Sequence, residues 1–284
     1  MNVLKKILNR INQILIYTSL SSNWLDKYNL AILGITKGPG KSTIAKNITK
    51  IGKIFYPNLI VRLNYFGRLK LILNPHDRNH MVILDEFLFE DVYDLSYIKF
   101  SPELIIDCGA HIGLFTALVA HHFQSSTISS FEPDPRNFRF LHKMIKLNSL
   151  ENVECYDAAV SNYEGSSEFL LNSQNYGSYL LNKDDELEKN QNEKEVVSVI
   201  DLPRLLLNKK PNSLLLKIDI EGGEMDLIPD LIPVLPNSCV IYFEWHHGSE
   251  MRKKIFDALI TDGFEIRVLR EVGNKYSDNV AIRL

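Results

Sequence analysis

The chain is poor in cysteine. Three residues in 284, Cys108, Cys155 and Cys239, are odd in number and show no paired spacing. That argues against a disulfide framework and a zinc site, favours three buried thiols, and implies a reducing, cytoplasmic setting. Charge of one sign is also missing. A formal net charge of −3 leaves no basic footprint for nucleic acid. No apolar run approaches the roughly 18 residues that a membrane span requires, and no internal repeat or low-complexity tract stands out. The rest, 45% hydrophobic and 24% charged, is the composition of an ordinary globular chain long enough to bury a sizeable core.

What is present is organised around residues 103–116. A short apolar run, Leu104-Ile105-Ile106, ends in Asp107. A turn with Gly109, Ala110 and Gly113 follows, and the apolar residues then adopt a helical period. This is a strand feeding a tight loop and a covering helix, the opening unit of a nucleotide-binding α/β fold. Gly109 permits the turn, Gly113 is expected to let the helix lie close to its strand, and the helix N-terminus aims N–H groups above the sheet. A dinucleotide fingerprint needs glycine where Asp107 stands, and a carboxylate there repels phosphate and suits a cation. About twenty residues on, where a ribose-binding acid is expected, the strand-like run 127–131 ends in Glu132. A nucleoside carrying an amino group, a sulfonium and no phosphate fits both acids, and S-adenosylmethionine is that molecule.

Four stretches then carry a resemblance: Asp107-Cys108-Gly109-Ala110-His111-Ile112-Gly113 with Thr116; Phe131-Glu132-Pro133; Leu216-Lys217-Ile218-Asp219-Ile220-Glu221-Gly222-Gly223-Glu224; and Phe243-Glu244-Trp245-His246. Their order over residues 101–284 resembles the FkbM family of class I S-adenosylmethionine methyltransferases. The resemblance implies a Rossmann-like, mostly parallel seven-stranded sheet with a C-terminal antiparallel strand, and methyl transfer to a hydroxyl on sugars, glycolipids or polyketide-like products. Methyltransferases of nucleobase amines resemble one another in Asn or Asp followed by Pro-Pro and an aromatic after the fourth strand. Asp219-Ile220-Glu221-Gly222 departs from that pattern and disfavours nucleic acid as acceptor.

The chain divides into an N-terminal helical extension at 1–58, a hairpin and cap segment at 59–100, and the methyltransferase domain at 101–284. Apolar residues recur at helical spacing over 4–15, with Lys5, Lys6 and Arg10 on the other side. That helix is expected to pack on the body or on a second copy, and its basic face admits a weak membrane-surface contact. The charged start resembles a signal peptide, but Arg10, Asn12 and Gln13 interrupt its apolar stretch, so it is read as retained. Residues 172–195 are polar and charge-rich, and form an expected loop near the acceptor.

The candidate cofactor-binding residues are Asp107, Gly109, Ala110, Gly113, Glu132, Asp157 and Ala158, the last two placed near the adenine. Strand-ending residues face the ligand in such a sheet, which singles out Asp219, Glu221, Glu244 and His246. Period two sends Glu244 and His246 to one side and Trp245 and His247 to the other. His246 is the most economical general base, with Asp219 and Glu221 next. Alternatively, Asp219, Glu221, Glu244 and His246 hold a divalent metal such as Mg²⁺ or Mn²⁺. The partner is a small-molecule or glycan acceptor, and a homo-oligomer is compatible with the sequence.

Three other readings compete. A nicotinamide-dependent oxidoreductase would keep the fold but set phosphate against Asp107. A P-loop NTPase is suggested by Gly40-Lys41-Ser42 after an apolar run, but the spacing is wrong by one residue: Ile35 stands where glycine is needed. A non-catalytic sugar-binding subunit would keep the fold without turnover.

Overall fold

The computed structural model describes residues 59–63, 69–74, 77–90, 92–171, 179–180, 193–273 and 276–284. The expected helix at 4–15, the loop at 34–43 and most of the loop at 172–195 lie outside them.

The described chain begins with an antiparallel hairpin, β1 (Leu59–Leu63) and β2 (Leu69–Leu73), followed by helix α1 (Arg78–Phe89) and a 3₁₀ turn at Leu95–Tyr97. Asp77 caps α1 by accepting the N–H of Asn79 at 2.9 Å. Then come β3 (Leu104–Cys108), α2 (Leu114–His122), β4 (Thr127–Phe131), α3 (Pro135–Asn148) and β5 (Val153–Tyr156). Strands β6 (Ala159–Ser161), β7 (Gly165–Leu171), β8 (Tyr179–Leu180) and β9 (Glu193–Asp201) precede α4 (Leu202–Lys209). The chain finishes with β10 (Ser213–Ile218), α5 (Glu224–Leu231), β11 (Ser238–Trp245), α6 (Ser249–Thr261), β12 (Glu265–Val272) and β13 (Tyr276–Arg283).

Seven strands form the main sheet in the order β12-β13-β11-β10-β3-β4-β5. All neighbours from β11 to β5 are parallel, and β13 runs antiparallel to both β11 and β12. This is the class I methyltransferase fold. From β3 the chain moves outward through β4 and β5, and after β9 it restarts at β10 and moves the other way. The carboxyl ends of β3 and β10 are therefore the switch point, where an open α/β sheet makes its crevice.

Alternation sorts the core. Ile106, Cys108, Leu214, Leu216, Ile218 and Ile241 pack on the α4, α5 and α6 side with Leu206, Leu227 and Leu259. Ile105, Leu215, Val240 and Val280 face Phe115 and Val119 of α2. A third cluster joins Leu69, Leu71 and Leu73 of β2 and Leu84 of α1 to Ile112, Leu114 and Met144. The Asn148 side-chain amide fastens that hairpin to α3, accepting from Lys70 N at 2.8 Å and donating to its carbonyl at 2.7 Å.

Strands β7 and β9 pair with each other in a second sheet of order β6-β9-β7-β8. Helix α5 runs through Pro229 into a 3₁₀ turn at Ile232–Val234. One local expectation changes. Gly113 does not bring its helix onto the strand. A Cβ there would meet Leu141 Cδ1 at 2.8 Å and Leu141 Cα at 3.4 Å, so the close approach is between α2 and α3. Cys108 and Cys239 are buried thiols and Cys155 is only half-buried, because β5 is the sheet edge; all three are free.

Candidate active site

The cofactor side is built mainly by backbone. The N–H groups of Gly109 and Ala110 both donate to the Phe131 carbonyl, at 3.0 and 2.9 Å, which pins the turn after β3 to the end of β4. Gly109 has φ +76°, and a Cβ on it would lie 1.8 Å from the Asp219 carbonyl oxygen, so the turn abuts the loop after β10. His111 adopts φ +49°, unusual for a residue with a side chain. Its N–H donates to Glu132 Oε2 at 2.7 Å, and the N–H of Asp134 donates to Oε1 at 2.9 Å. Glu132 is 5% exposed. Burial pushes its carboxyl up to about 8, against the two backbone donors from Asp134 and His111. Each oxygen keeps a further lone pair, so the ionised carboxylate can accept from both hydroxyls of a vicinal diol, and this acceptor pair fits the ribose of S-adenosylmethionine. Farther along this edge Ala158 is buried and Asp157 is exposed, its carboxyl raised by partial burial.

Asp107 is placed differently from the sequence expectation. It is fully buried. Thr116 Oγ1 donates to its Oδ2 at 2.5 Å, and its Oδ1 lies 3.3 Å from Lys217 Nζ. The reason is register: Asp107 of β3 and Lys217 of β10 are direct cross-strand partners and point the same way. Its charge is taken up by Lys217 instead of facing the space above the loop.

The acceptor side is built by side chains. Asp219, Glu221, Glu244 and His246 converge as the sequence suggested, around a residue to which it gave no role. Glu224, fully buried at the start of α5, accepts the N–H of Ile220 at 3.1 Å and of Gly222 at 2.9 Å. It therefore shapes the loop in which Glu221 takes φ +55°. His246 Nδ1 lies 3.4 Å from Glu224 Oε1, and its Nε2 lies 3.1 Å from Glu244 and 3.3 Å from Glu221. Beyond the end of β11, His247 Nε2 pairs with the Gly222 carbonyl at 2.7 Å and lies 3.9 Å from Glu224 Oε2. The signal for Glu224 was its place at the N-terminal turn of a helix after a Gly-Gly pair, where a carboxylate finds free N–H groups.

Titration follows from that packing. Burial alone would lower His246, but hydrogen bonds and charge from Glu224 and Glu244 push it up to about 12. Burial and the charge of Asp219 push Glu221 up to about 7 and Glu244 up to about 8. Burial opposes ionisation of Asp219, yet Lys217 and then His246 hold its carboxyl below the ordinary range. The imidazole is thus a cation among acids at neutral pH, and Glu221 is the group poised to exchange a proton there. Among the described residues, ligand atoms of Asp219, Glu221 and His246 lie within 4.8 Å of one another, a spacing that a metal ion could bridge. Glu244 stands outside that set.

A narrow crevice beside the cluster is lined by Tyr93, Lys217, Asp219, Tyr242, Glu244 and Asp278 among others, with room for about one water-sized group. Tyr93 comes from the cap segment, and its ring packs 5.0 Å from Phe115. Tyr242 Oη donates to the Asp94 carbonyl at 2.6 Å. Over the mouth, Arg270 of β12 joins Glu86 and Glu90 of the α1 end to Asp278 and Tyr276 of β13. Such a long-range junction left no sequence signal. Among the described residues, no helix is long and apolar enough to cross a membrane.

A family model described as Methyltransferase FkbM domain matches residues 107–276. Methyltransferase 1 of Beauveria bassiana (strain ARSEF 2860) is 26% identical over 191 residues, which are 61% of this chain and 76% of that protein. Methyltransferase sdnD of Sordaria araneosa is 27% identical over 106 residues, 37% of this chain and 38% of its own length. Among solved structures, M. jannaschii TYW2 in complex with AdoMet aligns with a TM-score of 0.44 at 14% identity, over 81% of this chain and 88% of that one. An O-methyltransferase family protein from Burkholderia thailandensis aligns with a TM-score of 0.43 at 12% identity, over 72% and 57%.

Proposed function

We propose, because the chain belongs to the methyltransferase FkbM domain family, that this S-adenosylmethionine-dependent methyltransferase acts on a hydroxyl of a sugar, glycolipid or related secondary metabolite. The observation that carries the reading is the acceptor side itself. It presents a half-buried carboxylate poised near neutrality, Glu221, beside the donor loop, with no Pro-Pro-aromatic platform for a base. The bound cofactor supplies an electrophilic methyl group. An alcohol attacking it must lose a proton, and Glu221, with its pKa about 7, accepts that proton at neutral pH. His246 moves from base to clamp: as a cation it holds Glu221 and Glu244 in place. Glu132 holds the ribose diol, and the turn at Gly109, Ala110 and Gly113 lets the cofactor lie close to backbone. Asp157 and Ala158 border the adenine. Three free cysteines support a cytoplasmic setting, and the domain limits 1–58, 59–100 and 101–284 are retained.

The test is transfer of labelled methyl from S-adenosylmethionine to fractionated cell glycans and glycolipids. Label recovered after acid hydrolysis as an O-methyl sugar supports the reading. Label found in nucleic acid, or released by mild alkali as from a methyl ester, overturns it. The rate should also rise with pH through about 7 as Glu221 ionises. A second reading rests on the close set of Asp219, Glu221 and His246. These would hold Mg²⁺ or Mn²⁺, which would lower the pKa of an acceptor hydroxyl. Loss of activity with chelator and its return with Mg²⁺ would select that reading; indifference to chelator would discard it.

A further inference from the structure

The sheet orders the cofactor cleft from one end to the other. The expected adenine and ribose contacts, Asp157, Ala158 and Glu132, follow β5 and β4, the glycine turn follows β3, and the acceptor cluster follows β10 and β11. A cofactor with its ribose at Glu132 and its adenine farther out must extend its amino-acid end toward β10. At that point, between the turn and the cluster, a single cation is buried. Lys217 Nζ donates to the Gly109 carbonyl at 2.8 Å and lies 3.3 Å from both Asp107 Oδ1 and Asp219 Oδ2. It also lies 3.5 Å from the Cys108 carbonyl, so the ammonium is bonded to the main chain of the turn and ion-paired with both carboxylates. Lys217 is 4% exposed. Its partners belong to separate loops that already touch: Asp219 N donates to the Cys108 carbonyl at 3.1 Å, and Gly109 leaves no space for a Cβ beneath Asp219.

We propose that Lys217 is a positioning residue for the amino-acid end of the cofactor, fixing the Gly109 carbonyl and the Asp219 carboxylate relative to each other. The inference rests on the cofactor-site assignment above. Lys217 is buried beneath the turn, so it acts through those two acceptors. They are the polar groups that the ammonium end of an amino acid would meet on leaving the ribose. Replacement by an apolar residue would leave the Asp107 and Asp219 charges facing each other and release the carbonyl, while the Glu132 end stays attached to the N–H groups of His111 and Asp134.

The experiment compares two ligands by calorimetry: S-adenosylhomocysteine, and 5′-methylthioadenosine, which keeps the adenosine and the thioether but lacks the amino acid. Lys217→Met should weaken the first by about tenfold or more, the size of a lost charge-assisted contact, and leave the second nearly unchanged. Should the single variant fail to fold, the Asp107→Asn, Lys217→Met pair removes both buried charges and should show the same split. Equal weakening of both ligands would mean that Lys217 only holds the fold, and would overturn the proposal, as would parent-like binding of both. A parent protein that binds neither ligand would overturn the cofactor assignment itself, and this inference with it.

Discussion

At the end of β4 one carboxylate, Glu132, is held by backbone N–H groups of His111 and Asp134. At the ends of β10 and β11, Glu221 and Glu244 are held through the imidazole of His246, which rests on Glu224. A carboxylate that accepts main-chain N–H groups keeps its place whatever the neighbouring side chains do. One that depends on an imidazolium shares its charge state with every acid touching that ring. The Glu132 carboxylate is therefore placed by main chain, whereas the charge of the His246 cluster changes with each acid that touches the ring.

The largest effect should come from breaking the seam between the two sides. Gly109→Val places a Cβ on the Asp219 carbonyl in a backbone conformation that valine rarely adopts. Cofactor binding should be lost and the melting temperature should fall by several degrees or more; parent-like calorimetry and melting would separate the two loops. Next is Glu221→Gln, which should reduce turnover by roughly 10²–10⁴-fold, the usual range for a general base, with S-adenosylhomocysteine affinity unchanged. Loss of affinity and turnover together would join Glu221 to the donor side and erase the contrast. Glu132→Ala should cost roughly 1.5–3 kcal/mol of cofactor affinity, the range for hydrogen bonds to charged groups. Isothermal titration of the folded variant measures it directly.

A separate effect concerns stability. Burial lowers His80 to about 4, and burial with the neighbouring His80 lowers His111 to about 3. Both imidazoles are neutral when folded and ordinary when unfolded. Their contribution is thus present above about 6.5 and is lost as pH falls through about 4 and 3, at up to about 1.4 kcal/mol per pH unit for each ring. Melting curves between pH 7 and 4 should fall less steeply in a His80→Gln variant. An unchanged slope would show that these rings do not set acid stability.

The same contrast explains what could be read from the chain. The donor side was legible because its parts are contiguous: Asp107 to Gly113 is one turn, and Glu132 ends the next strand. The mostly parallel seven-stranded sheet with its antiparallel strand was implied by the family resemblance, and the structure has it. The members of the acceptor cluster were legible as strand ends. Their charge states were not. Glu224, unassigned in the sequence, lies 3.4 Å from the His246 ring and with Glu244 favours its protonated form. Asp107 was misdirected by a register that only the assembled sheet defines. Tyr93 and Arg270 reach the site from segments far away in the chain, and nothing local marks them.

The cap's underside also bears on how the chain can be divided. The family match begins at Asp107, yet Ile112, Leu114, Ala117 and Met144 inside it pack on Leu69, Leu71, Leu73 and Leu84 from outside it. A fragment trimmed to the matched segment would bare that apolar face and leave Asn148 without the main-chain partners of Lys70. It should therefore self-associate in solution, whereas a fragment beginning before β1 keeps the face covered. The packed core is longer than the segment the family model matches.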